Sequence, residues 1–117
     1  KTEGVSGMIR KKDWDYIGGN DPRFAPAYWE DADLFIRMMN EGYKFTITSK
    51  SLVYHFASRA SRFPDDNLNS RPVNLAKIEQ RSLQRFLEKY GKLPTLDSNQ
   101  HYIAMQPIDG SENRINQ

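Results

Sequence analysis

The chain has 117 residues, with 17 Lys and Arg against 15 Asp and Glu and no cysteine. That length folds most simply as one domain around one core; a net charge of +2 is too small to call for a nucleic-acid partner, and the lack of cysteine removes disulfides, thiolate zinc sites and cysteine nucleophiles. No apolar run reaches the roughly 18 residues of a membrane span and no signal segment opens the sequence, which reads as a soluble, cytoplasmic protein held at most at the cytoplasmic face of a membrane.

In chain order, Gly4 to Arg10 mixes small residues with Val5, Met8 and Ile9 and predicts a short buried strand. Lys11 to Ile17 predicts a short helix with Trp14 and Ile17 on one face, stopped by Gly18 and Gly19. Asn20, Asp21 and Pro22 form a turn, and Arg23 to Trp29 an aromatic-rich loop. A helix beginning near Glu30 follows, its apolar residues Leu34, Phe35, Met38 and Met39 at one-face spacing and its end at Gly42. Tyr43 to Thr48 alternates apolar and polar residues as a half-buried strand does, and Leu52 to Phe56 is a second strand candidate ending near His55. Ser58 to Arg71 is polar, basic and broken by Pro64, a loop by composition. Asn74 to Tyr90 predicts the longest helix, with Leu75, Ile78, Leu83, Phe86, Leu87 and Tyr90 as its apolar stripe and Gly91 as its stop. His101 to Ile108 predicts a strand or docked arm, and Asp109 to Gln117 a frayed polar tail. The expected organisation is a single domain over 1–117, with a core from about 4 to 91 and 92–117 as an extension.

The chemistry gathers at Tyr28 to Asp33, where Glu30, Asp31 and Asp33 crowd the start of the central helix behind two aromatic residues. Acids there suit the partial positive charge of a helix N-terminus, an adequate structural reason for one or two of them. Asp33 also has Arg37 one turn on, the spacing of an i to i+4 ion pair. A carboxylate at a helix start can equally act as a base toward an acceptor hydroxyl within hydrogen-bond reach.

Four blocks in order, Gly18-Gly19-Asn20-Asp21-Pro22-Arg23-Phe24, Tyr28-Trp29-Glu30-Asp31-Ala32-Asp33-Leu34 with Arg37, Gly42-Tyr43, and Val53-Tyr54-His55 with Ser58, resemble the C-terminal, acceptor-side half of GT-A glycosyltransferases, in particular family 2 enzymes and the galactosyltransferase C-terminal domain. The resemblance spans about Gly4 to Ser61. It implies an α/β fold of α+β-like, partial character, with short strands packed on two main helices. It also implies transfer of a sugar from a nucleotide-diphosphate sugar to a carbohydrate or glycolipid acceptor, inverting, with Asp31 as general base and Glu30 orienting a sugar.

By the same resemblance Trp29, Tyr28, Gly19 and Asp33 would contact substrate. His55 would bind a divalent metal, manganese or magnesium, that holds the leaving diphosphate. Arg59 and Arg62 would close on phosphates, as guanidinium groups do bidentately. Solvated loop arginines and a structural strand histidine are the ordinary alternatives for these three. Asn20 stands where the family usually has phenylalanine, and the nucleotide-binding half with its Asp-x-Asp metal motif is missing from this sequence. Asp13-Trp14-Asp15 spells that motif, but it follows Arg10-Lys11-Lys12 and not an apolar strand. Because the sequence opens on Lys1, a longer parent is expected, and the isolated chain is expected to be incomplete as an enzyme. The competing expectation is a non-catalytic carbohydrate-binding module of the same ancestry, or one that self-associates through the face meant for the missing half.

Overall fold

A computed structural model describes residues 7–51 and 75–116. Three α-helices lie in those residues: α1, Lys11–Ile17; α2, Glu30–Asn40; and α3, Leu75–Tyr90. A single 3-10 turn, Pro22–Phe24, is capped by the Asp21 side chain, which accepts the Arg23 N–H at 3.0 Å. α1 ends on Gly18 at φ 87°, and α2 closes with the Gly42 N–H on the Met39 carbonyl and the Tyr43 N–H on that of Met38, the paired bonds of a Schellman stop. Both glycine stops thus lie where the sequence placed them.

The two glycines are unequal. A Cβ on Gly42 would meet nothing within 4 Å, whereas a Cβ on Gly18 would fall 1.9 Å from the Ile115 carbonyl oxygen. Gly42→Ala is therefore expected to cost about 1–2 kcal/mol for its left-handed backbone alone. Gly18→Ala should cost clearly more, because Ile115 must also move. Urea unfolding of the two variants side by side checks the order.

α2 organises the interior through four i to i+4 stripes. Ala32 and Ile36 enter an apolar cluster with Phe24, Phe86, Tyr90 and Met105, while Leu34 and Met38 enter a second with Ile17, bordered by Ile9, Tyr43 and Phe45. Asp33 and Arg37, both fully buried, run between these two stripes. Asp31, Phe35 and Met39 form the fourth stripe and are only half-buried. Phe35 and Met39, expected in the core, instead edge a groove, and Ile36, absent from the predicted stripe, is fully buried.

α3 departs from its predicted stripe in the same manner. Its buried residues are Ser82, Phe86, Lys89 and Tyr90, while Leu87 is partly exposed. The rings of Trp29 and Tyr90 lie 4.9 and 4.7 Å from that of Phe86. On the same side α3 holds the loop leading into α2. Arg85 donates to the Arg23 carbonyl, Arg81 to that of Ala25 at 3.3 Å, and the Ser82 hydroxyl to that of Ala27 at 2.7 Å.

The short strands expected from the sequence are not formed among the described residues, where the only strand-like pairing is an isolated antiparallel bridge between Leu96 and Tyr102. Tyr43 to Thr46 keeps the alternation, with Tyr43 and Phe45 half-buried and Lys44 and Thr46 exposed, but Ile47, expected inward, is exposed and the segment has no ladder. Alternation decides which side chains turn inward; a strand also needs a neighbour to bond to. Leu52 to Phe56, the second strand candidate, lies outside the described residues, as do positions 4–6 of the Gly4 to Arg10 candidate. The described residues make a small α-rich domain rather than the expected α/β unit.

The expected polar tail is instead part of the body. Ile108 donates its N–H to the Lys89 carbonyl at 2.7 Å and Ile115 to that of Ile17 at 2.9 Å. Asp109 pairs with Arg23 at 2.8 Å, and Asn113 accepts from Asn40 at 3.0 Å. Against the cost of its burial, the Arg23 guanidinium and Ser111 hold the Asp109 carboxyl far below the usual carboxylate range. Backbone bonds and buried partners, invisible in a polar composition, dock this segment.

Candidate functional site

The start of α2 separates its three acids by the direction each faces. Asp33 turns inward. Its carboxylate accepts Arg37 Nε at 2.8 Å and the Tyr90 hydroxyl at 2.6 Å, and Lys89 Nζ lies 2.7 Å away. Lys89 also meets Asp21 at 3.0 Å, so two carboxylates face two cations in the protein interior. Burial first, and the Asp33 charge second, push the Tyr90 phenol well above its ordinary value, leaving it a fixed hydrogen-bond donor. Burial alone would raise Asp21, but the Arg23 N–H and Lys89 hold its carboxyl below the usual range.

Arg37 reaches further. Its guanidinium donates to the carbonyls of Ile17, Gly19 and Asn113 as well as to Asp33. It thereby satisfies carbonyls left over at the end of α1 and ties α1, α2 and the C-terminal segment together. The expected Asp33 to Arg37 pair is present, and Asp33, expected also to contact substrate, is fully buried with no surface to offer one. Gly19, expected at the substrate, is likewise buried. Its carbonyl serves Arg37, and a Cβ there would fall 2.9 Å from the Trp14 indole.

Glu30 and Asp31 remain at the surface end of the helix, both half-buried. Asp31 Oδ1 accepts the Ala32 N–H at 2.8 Å. Burial pushes the Glu30 carboxyl above its ordinary value and the neighbouring Asp31 charge adds to that, partly offset by the N–H groups of Glu30 and Tyr28. Oε2 of Glu30 is buried and has no hydrogen-bond partner among the described residues. A carboxyl raised by burial beside a second one is the arrangement from which acid and base roles are divided.

The backbone feeding this pair is strained. Tyr28 and Trp29 both adopt left-handed conformations, φ 73° and 68°, in residues for which that region is costly. Two such residues cost on the order of 1–3 kcal/mol each, and they persist where surrounding contacts over-determine them. The α3 clamp on alternate carbonyls of residues 23, 25 and 27 supplies those contacts. Trp29 is packed against Phe86 rather than standing as an open platform, and Tyr28 is half-buried.

The remaining expected site residues, His55, Arg59 and Arg62, lie outside the described residues. Among the described residues no three His, Cys, Asp or Glu side chains converge as a metal site. Asp13 and Asp15, which spell Asp-x-Asp, are engaged elsewhere. Asp13 accepts the Tyr43 hydroxyl at 3.0 Å, and Asp15 pairs with Lys11 at 2.7 Å. No described helix is long and apolar enough to cross a membrane.

Sequence reasoning missed the groove beside the fourth stripe of α2. About 390 Å³ in volume, it is lined by Phe35, Met39, Tyr43, Lys44, Phe45, Asp97, His101 and Tyr102. Asp97 Oδ1 accepts the N–H groups of Asn99 at 2.8 Å and His101 at 3.0 Å, closing the turn that presents His101. Those two N–H groups, the His101 one foremost, hold the Asp97 carboxyl below its ordinary value against its own desolvation. The available signal was an Asp-Ser-Asn-Gln turn between Leu96 and Tyr102, read as part of an extension.

Compared with known proteins, the chain matches no family model, no curated protein and no solved structure.

Proposed function

We propose that this chain is the acceptor-side part of a glycosyltransferase, moving a sugar from a nucleotide-diphosphate sugar to an acceptor hydroxyl with inversion. The observation that carries the reading is the half-buried Glu30–Asp31 pair at the start of α2, held behind two left-handed aromatic residues. Asp31 takes the proton of the acceptor hydroxyl as its oxygen bonds to the anomeric carbon, and the bond from that carbon to the diphosphate breaks on the opposite face. Glu30, the carboxyl more readily protonated than an ordinary one, orients a sugar hydroxyl beside it. A divalent metal would neutralise the leaving diphosphate; the resemblance assigns it to His55 and an Asp-x-Asp half.

The test, run with the nucleotide-binding half that the reading requires supplied, is nucleoside diphosphate release from uridine-diphosphate glucose, galactose and N-acetylglucosamine, with magnesium or manganese and disaccharide acceptors. The expected product is a new glycosidic bond of inverted anomeric configuration. Donors left unconsumed with every acceptor overturn the reading. They favour a carbohydrate-binding module without transfer, for which the aromatic groove on α2 is the supporting observation.

A further inference from the structure

Asp31, Phe35 and Met39 stand at i, i+4 and i+8 on α2, so the groove begins one helical turn, about 5.4 Å, along the same face from the candidate base. Its volume of about 390 Å³ is within the roughly 300–1,000 Å³ of small-molecule sites. The Phe45 ring meets that of Phe35 edge-on at 4.8 Å, and Tyr102 lies 6.5 Å from Phe35 at 33°. These rings form an angled apolar wall, not the parallel slot that would sandwich a flat base.

Charge narrows the ligand. Lys44 is among the residues lining the groove and its charge opposes a cation, so an ammonium held in an aromatic cage is disfavoured. Asp97 is an ionised carboxylate and opposes a phosphate. An uncharged ring bearing several hydroxyls fits both. Its C–H face rests on the aromatic wall, its hydroxyls donate to Asp97 and accept from Lys44 and His101. Asp97 Oδ1 is committed to backbone N–H groups.

We propose that this groove is a saccharide subsite, taking a neutral pyranose unit next to Asp31; that it holds the acceptor rests on the transferase reading above. Lys44, Asp97 and His101 are its polar determinants, and none belongs to the residues that carry the family resemblance.

The full chain, isotope-labelled, is titrated by nitrogen–proton NMR with cellobiose, lactose and diacetylchitobiose, and separately with choline and uridine monophosphate. At least one disaccharide is expected to shift the amides of Lys44, Phe45, Asn99, His101 and Tyr102. The exposed Lys44→Ala and the His101→Ala variants, whose spectra report their fold directly, should weaken that binding roughly tenfold. Silence from all three disaccharides at high millimolar concentration, or shifts at these amides from choline or the nucleotide instead, overturns the proposal. Disaccharide binding without sugar transfer leaves the subsite standing and removes the transferase reading; transfer with an unperturbed groove does the reverse.

Discussion

Replacing Arg37 by methionine is expected to destabilise the protein by about 3–5 kcal/mol, the usual consequence of removing one member of a buried ion pair. Methionine fills much of the same volume but supplies no donors. The Asp33 carboxylate then loses its Nε bond, the carbonyls of Gly19 and Asn113 lose the guanidinium N–H groups that reach them, and that of Ile17 keeps only the Ile115 N–H. For a domain of this size that corresponds to a fall in Tm of roughly 10–20 °C. Thermal unfolding followed by circular dichroism checks it. A shift of only a few degrees would mean that solvent or other donors replace Arg37 without cost.

Asp31→Asn is expected to lower turnover about 10²–10⁴-fold in the transferase assay, the range that a positioned general base contributes. The amide keeps an oxygen to accept the Ala32 N–H but cannot take a proton from an acceptor. Glu30→Gln should cost less, because the amide still offers hydrogen bonds to a sugar while relieving a carboxyl that burial already disfavours in its charged form. Steady-state rates at saturating donor separate the two. Near-wild-type turnover in Asp31→Asn would transfer the base role elsewhere.

The helices and their glycine stops were legible because periodicity and left-handed caps are local properties. The Asp33–Arg37 pair was legible for the same reason, being one turn apart on one helix. Lys89 was not. It occupies a core position at the spacing of Ser82 and Phe86, but a lysine among polar neighbours carries no signal of burial until Asp21 and Asp33, more than fifty residues earlier in the chain, are brought to it. The docking of residues 108–115 was hidden for a related reason. Its contacts are largely backbone carbonyls and polar side chains meeting distant partners, and composition alone describes such a segment as solvated. At the candidate site, sequence marked the acids and the aromatics but not their directions: that Asp33 turns inward while Glu30 and Asp31 stay at the surface end follows from the angle each takes around α2. The groove was missed because its two sides, Phe35 to Phe45 and Asp97 to Tyr102, are more than fifty residues apart.

The central claim is that α2 divides its acids, Asp33 for the fold and Asp31 for chemistry. The most direct measurement is the unfolding midpoint of two isosteric variants, Asp33→Asn and Asp31→Asn, beside the wild type. Asp33→Asn leaves Arg37 and Lys89 buried without the charge between them, and its Tm should fall by roughly 10–20 °C. Asp31→Asn removes a charge at a half-buried position near the helix N-terminus, worth about 0.3–1 kcal/mol there, keeps an oxygen for the Ala32 N–H, and should stay within a few degrees. Equal losses in both, or the larger loss at Asp31, would contradict the account.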